Sequence, residues 1–331
     1  FRSISIKTFD KYSKTERRMN VEKKEKTIKQ KSLWQEIWKN KAIYLIMLPG
    51  IIWFIVFSYG PMSGLQLAFK TYSMKRGIWG SPWCGLENFQ YVFRDPSFLK
   101  SVGTTLWINA GRLIFQFPIP IILALLMNEL RMKRYKKVVQ TVLTFPHFLS
   151  WVIVASIAIN VLSYDGLLNS LILSFGGETV NFTGNAKLFQ PLLYITENWK
   201  SAGWSAIIYM AAISGIDMDQ YEAADLDGAS RIQKIFRITL PNILPTISVM
   251  FVLQMGNMMS GGFDQIFNLS NPAVKEVSEI LDMYIYNISF GSTPDFGFST
   301  AVSFFRSVVN CIFLVAADRG AKALGGSGLF G

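Results

Sequence analysis

Polar positions thin out along most of this chain into stretches long enough to cross a lipid bilayer. A spanning helix needs roughly 20 mostly apolar residues, because every backbone N–H and C=O must find its partner inside the hydrocarbon layer. Six stretches meet that requirement: 42–59, 102–127, 138–162, 191–213, 244–259 and 300–317. Several carry Pro or Gly, as in LPGI at 48–51 and FPIP at 117–120, which packed membrane helices accommodate. The pattern predicts an all-α integral membrane protein, with a basic segment over 1–41, a six-helix membrane domain over 42–318 and a short tail over 319–331. No internal repeat is present, and low complexity is confined to the basic segment and the ending GGSGLFG.

Between the fourth and fifth apolar stretches the pattern changes, and residues 216–243 read as patterned polar chain. Asp219 precedes Glu222 by three positions, a capping-box spacing that predicts a short helix from Gln220 through Ala223, Ala224 and Leu226. Gly228 supplies the permissive backbone of a turn, and Ser230 can cap a second helix. The apolar positions of that second helix, Ile232, Ile235, Phe236 and Leu240, recur at helical spacing. Pro241 and Pro245 mark the entry to the fifth span.

Composition supports the membrane class: 50% of the 331 residues are hydrophobic, 14% aromatic and only 17% charged. A net charge of +11 could signal nucleic acid, but 13 of the 33 Lys and Arg lie within the first 41 residues, which fits a segment near anionic lipid headgroups and no nucleic-acid partner. Counted on alternate sides of the spans, 23 cations fall with the N-terminus and seven opposite. Positive loops stay in the cytoplasm, so both termini and the 216–243 loop are expected there. The first apolar run begins near Ala42 and has no small-residue cleavage pattern, so it is expected to remain as a membrane helix. With two cysteines, Cys84 and Cys311, and one histidine, neither a disulfide nor a metal site is expected.

Catalytic patterns are absent. No GxxxxGK[ST] loop is present to cradle ATP, so the chain needs no cofactor of its own and any ATP and Mg would be bound by partner subunits. His147 has no Ser/Asp or Cys constellation, and neither GxSxG nor HExxH occurs. An ion-coupled secondary transporter is the rival reading, but such proteins carry acidic groups inside their spans, and the clearest candidate here is Glu197, near a span end.

The string EAADLDGASRIQKIFRITLP resembles the EAA motif of membrane subunits of binding-protein-dependent ABC importers, with Glu222, Ala223, Ala224, Gly228, Ile238, Leu240 and Pro241 at the motif positions. From about Trp34 onward the chain is similar to the oligosaccharide branch of these permeases, the branch that includes alginate permeases. SPWCGLENF, FPHFLSW, FDQIFNLSNPAV and SFFRSVVN occur in the corresponding order. The resemblance implies a Type I importer of MetI-like fold in a bacterial cytoplasmic membrane, working by alternating access. It implies a second homologous permease, two cytoplasmic ATPase subunits and an extracytoplasmic binding protein that touches residues 60–101, 163–190 and 262–298. The short helix becomes a coupling helix inserted into the ATPase, carried by Glu222, Ala223, Ala224, Asp227 and Gly228.

A sugar path needs aromatic faces for pyranose rings and polar groups for their hydroxyls. By the same resemblance Glu197, Trp199, Lys200, Ser201 and Trp204 line the cavity, with His147 and Trp151 in the third span and Gln254, Asn257 and Ser260 in the fifth. Trp199 and Trp204 are five positions apart, so they need not share one helix face. Arg112, Lys200 and Arg306 fall inside apolar stretches with few acidic neighbours in the spans. Snorkelling or local ion pairs can satisfy each of them singly. A water-filled cavity of positive interior would satisfy all three, and it predicts an oligosaccharide that is itself acidic, of the alginate or uronate type, the alternative being a permease for neutral oligosaccharides.

Overall fold

Apolar chain in lipid must pair its own backbone, and the computed structural model is helical throughout. It describes residues 37–130, 132–323 and 328–329; among these there is no strand, only one isolated bridge between Lys70 and Trp83. Most of the basic segment and most of the GGSGLFG ending lie outside the described residues. The chain divides into two units, 1–64 and 65–331. In the first, α1 (Lys41–Phe54) continues through a π-helical turn at Ile55–Tyr59, and no residue of either is buried. A helix apolar on every side suits lipid or a partner helix.

In the second unit α2 (Glu87–Arg94) leads to α3 (Pro96–Phe115), whose N-cap Asp95 accepts a 2.8 Å hydrogen bond from Ser97 N. The expected span 102–127 is interrupted. The amides of Gln116 and Phe117 both turn back to Arg112 O, at 2.8 and 3.1 Å, and α4 (Pro118–Asn128) restarts on Pro118. The expected span 138–162 is likewise two helices, α5 (Lys133–Thr144) and α6 (Trp151–Leu162), parted by a 3-10 turn at Phe145–Phe148 and extended residues Leu149 and Ser150. Pro146 is the cause: it lacks the amide hydrogen that continues a helix. After α6 come α7 (Leu167–Ser174), the long α8 (Ala186–Ser214), α9 (Met218–Leu226) and α10 (Leu240–Met255). The chain closes with α11 (Phe263–Leu269), α12 (Leu281–Phe290) and α13 (Phe296–Ala323).

Among the described residues five segments are long and apolar enough to cross a membrane: Lys41–Phe69, Pro96–Asn128, Trp151–Ser174, Arg231–Met255 and Phe296–Ala323. The expected fourth span is α8, whose 29 residues reach about 43 Å at 1.5 Å per residue. Its greater polarity follows from its position. Ten of its residues are buried, more than in any other described helix, so polar groups on it face protein rather than lipid. Two glycines permit that packing: a Cβ on Gly203 would lie 2.0 Å from Leu143 O of α5, and one on Gly111 2.0 Å from the Tyr194 hydroxyl. Ala206, Tyr209 and Ile213 of α8 pack with Ala124 and Met127 of α4 and Ile243 of α10. Leu193 packs with Ile108, Ala155 and Ile266.

The fifth span ends as a helix at Met255, short of the expected 259. Side chains of neighbouring helices hold the backbone beyond it: Asn109 Nδ2 donates to Met258 O and Ser260 O at 3.0 and 3.1 Å, and Met259 N donates to Asn310 Oδ1 at 2.8 Å.

Candidate functional site

Residues 216–243 form a projecting helix–turn–helix. The N-cap of α9 is Asp217, whose carboxylate accepts from Asp219 N at 3.0 Å; this corrects the expected cap at Asp219. Either Asp has the right chemistry, and the helix begins at Met218, two residues earlier than the Asp219–Glu222 spacing implies. The C-terminal end is a Schellman motif: Ala229 N donates to Ala224 O and Gly228 N to Asp225 O, with Gly228 at φ +72°. Ser230 caps the next turn as expected, in a full capping box with Gln233. Glu222, Ala223, Asp227 and Gly228 are exposed and Ala224 half-buried. Glu222 makes no side-chain hydrogen bond or ion pair among the described residues, and Leu226 beside it is 90% exposed. Three side-chain contacts tie α9 to the segment that leads into α10: Lys234 Nζ of the second short helix donates to Asp225 Oδ1 at 2.6 Å, Tyr221 Oη meets Oγ1 of Thr239, the N-cap of α10, at 2.8 Å, and Asn242 Nδ2 in the first turn of α10 donates to Gln220 Oε1 at 3.0 Å. A short exposed helix fixed rigidly to a membrane helix can carry a push from one to the other.

The ten expected path residues separate into distinct places. Glu197, Ser201 and Gln254 come together in a cleft of about 150 Å³ between α8, α10 and the break after α3. Sequence reasoning missed Gln116, Asn198, Ser205 and Tyr209 in the same cleft. The signal for Gln116 was the interrupted helix in FQFPIP; for Ser205 and Tyr209 it was the spacing of four that puts 197, 201, 205 and 209 on one stripe of α8, and Asn198 borders that stripe three positions before Ser201.

His147, Trp151, Lys200 and Trp204 make a second cluster around the break between α5 and α6. Lys200 Nζ donates 2.7 Å bonds to both His147 O and Leu149 O and lies 5.7 Å from the Trp151 ring centre. The His147 and Trp204 rings stack with centres 4.7 Å apart. Trp199 faces elsewhere, into an apolar groove with Val154, Ile157 and Ile195, so the two tryptophans of α8 indeed occupy different faces. Asn257 is exposed and bonded to Leu253 O, while Ser260 is held by Asn109 and Asn310.

Of the two readings of Arg112, Lys200 and Arg306, the structure has the local one, with each cation engaged by neighbours, and not the shared positive cavity. Arg112 donates to Gln265 Oε1 at 2.7 Å and Asn109 Oδ1 at 3.4 Å, Lys200 caps carbonyls freed by the helix break, and Arg306 pairs with Asp282. Asp282 lies on α12, outside the spans, where a search for acidic partners within spans could not find it. None of the three cations lines the cleft.

The same architecture is known. Residues 116–322 match the family model described as binding-protein-dependent transport system inner membrane component. The polygalacturonan/rhamnogalacturonan transport system permease YteP of Bacillus subtilis is 43% identical over 303 residues, 91% of this chain and 94% of that protein. Protein LplB of the same organism is 40% identical over 88% of this chain and 92% of its own length. A crystal structure of a bacterial ABC transporter involved in the import of the acidic polysaccharide alginate contains a chain of 37% identity that superposes with a TM-score of 0.80, covering 88% of this chain and 99% of that one. A second, of the alginate transporter in complex with alginate pentasaccharide-bound periplasmic protein, gives 0.81 at 36% identity, covering 90% and 100%. With the helical membrane fold, the projecting EAA loop and these matches together, the chain belongs to the inner-membrane permease components of binding-protein-dependent transport systems, in the branch of sugar ABC importers.

Proposed function

We propose that this permease imports an acidic oligosaccharide of the uronate type by alternating access. The observation that carries the reading is nearly full-length likeness, at 43% and 37% identity, to proteins named for two different acidic polysaccharides. The charge inventory of the spans no longer contributes, because its cations are engaged within the fold.

In this reading the 216–243 loop faces the cytoplasm and α9 seats in one of two ATPase subunits, which bind ATP and Mg. Glu222, Ala223, Ala224, Asp227 and Gly228 form the contact. A second homologous permease completes the cavity, whose wall in this chain includes Glu197, Ser201 and Gln254. A binding protein delivers the sugar at the opposite end of the bundle. ATP-driven closure of the ATPases moves α9, and the Tyr221–Thr239, Gln220–Asn242 and Asp225–Lys234 contacts pass that motion to α10, whose Gln254 lies on the cleft.

The test is uptake by the complete complex, assembled from partners captured with the tagged permease, in proteoliposomes with its binding protein. ATP-dependent uptake of oligogalacturonides or oligoalginates is expected. Stimulation by neutral xylo- or manno-oligosaccharides and by no uronate oligomer would leave the importer and remove the acidic substrate.

A further inference from the structure

Along α5 charge and apolar surface are separated in a way that the fold itself does not use. Lys133, Arg134, Lys136 and Lys137 fill four of its first five positions, and its first turn carries no acidic residue. The N-terminal end of a helix bears partial positive charge, so cations there oppose the helix dipole as well as one another. No ion pair holds any of the four among the described residues. One side of α5 is packed: Val139 and Leu143 lie against the apolar group that contains Ala206, Tyr209 and Ile213 of α8. The other side is bare. Tyr135, Val138, Val142 and Phe145, spaced three, four and three, form a single stripe, and each is more than half exposed. Arg134 stands one turn before Val138 on that stripe, with Lys137 beside it.

Water hydrates the cations but leaves the stripe exposed, and an apolar helix of another protein covers the stripe but leaves the cations unpaired. A phospholipid of negative charge supplies both halves in one molecule, acyl chains for the stripe and a phosphate for its basic end. The lengths agree. From Arg134 to Phe145 the stripe runs about 16 Å at 1.5 Å per residue, close to the ~15 Å depth of hydrocarbon in one leaflet. We propose that this face of α5 is a binding site for an anionic phospholipid, its phosphate held by Arg134 and Lys137 and its acyl chains lying over Val138, Val142 and Phe145. The bound phosphate relieves the repulsion among the four cations and between them and the helix end. The site is independent of which sugar the complex carries. Because Val139 packs against the group that includes Ile213, it lies at the end of the bundle where α8 leads into the 216–243 loop.

The experiment uses the full complex, captured with the tagged permease and placed in vesicles of dioleoylphosphatidylglycerol as the minor lipid and dioleoylphosphatidylcholine as the major one. Val142→p-benzoylphenylalanine puts a photoreactive ketone on the stripe, and mass spectrometry identifies what it captures on irradiation. Lipid adducts are expected, with phosphatidylglycerol enriched about fivefold over its share of the vesicle. Arg134→Gln combined with Lys137→Gln is expected to bring that enrichment down to about twofold or less while phosphatidylcholine is still captured. The proposal is overturned if the adduct is to the second permease or another protein, if no lipid is captured, if phosphatidylglycerol is captured only in its vesicle proportion, or if the double variant keeps the enrichment. Should the double variant fail to assemble with its partners, a salt series on the complex with the intact cations decides alone. Raising salt from about 0.05 M to about 0.5 M should remove most of the enrichment, and an enrichment that persists overturns the site.

Discussion

Lys200 Nζ sits 2.7 Å from two carbonyl oxygens that the break at Pro146 leaves without helical partners. An ammonium near the centre of a membrane helix costs about 2.5–3.5 kcal/mol on insertion scales. Hydrogen bonds from a charged group contribute about 1.5–3 kcal/mol each, so the two together offset the cost. Lys200→Met should therefore lower the thermal midpoint of the purified complex in detergent, and Lys200→Arg, which keeps a charged donor, should recover part of it. A Lys200→Met complex of full stability that has lost only uptake would return Lys200 to the sugar path. Asp95 offers a second residue-scale test. Burial pushes its carboxyl up, but the Tyr284 hydroxyl at 2.5 Å and the Ser97 and Phe98 amides outweigh that and hold it below its ordinary value. A depressed carboxyl stabilises the fold at pH above its unfolded value and loses that contribution as pH falls through its folded value. Asp95→Ala should thus cost about 1 kcal/mol near neutral pH through loss of the N-cap, and the difference from wild type should shrink on acidification of the detergent-solubilised protein.

At the scale of elements, α9 is held at both ends by local devices and along its side by contacts to the segment that leads into α10. Its C-terminal turn depends on Gly228 at φ +72°, where a β-branched residue costs roughly 1–3 kcal/mol of backbone strain. Glu222, exposed and unpaired among the described residues, contributes little to the fold. Glu222→Lys and Gly228→Val should both reach the membrane, since no core residue is touched, yet abolish ATP-driven uptake. The two should differ in proteolysis: the Gly228→Val loop becomes more susceptible, while the Glu222→Lys loop stays as resistant as wild type. Normal transport by both variants removes α9 as the coupling element.

For the molecule as a whole, orientation rests on cation asymmetry, 23 Lys and Arg on one side of the expected spans against seven on the other. Asp227 and Thr293 are both exposed and lie in loops expected on opposite sides. With Cys84 and Cys311 replaced by Ser, a cysteine introduced at Asp227 should react with an impermeant maleimide only from the cytoplasmic side. One introduced at Thr293 should react only from outside. The reverse pattern inverts the topology and excludes an ATPase contact at α9.

What the sequence determined by itself was local. Apolar runs of membrane length mark five of the helical segments, Pro146 and Pro118 stand at the breaks, Ser230 is the cap it was read to be, and Gly228 takes the positive φ that its turn requires. These features depend on neighbours a few residues away, so the pattern of one stretch contains them. Even locally the pattern pointed to the wrong one of two adequate groups: the Asp219–Glu222 spacing reads as the cap of α9, and Asp217 is the cap. Tertiary structure decided which residues meet. Arg112 finds Gln265 across 153 positions and Lys200 finds the carbonyls of a helix break some 50 residues earlier, so cations without partners nearby along the chain meet polar partners in space. The path residues divide for the same reason: Glu197 and Trp199 are two positions apart on α8, which places them about 200° apart around the helix, one on the polar cleft and the other in an apolar groove. Which face of a helix becomes cavity and which becomes contact is set by the several helices that close around it, and that information is spread over the whole chain.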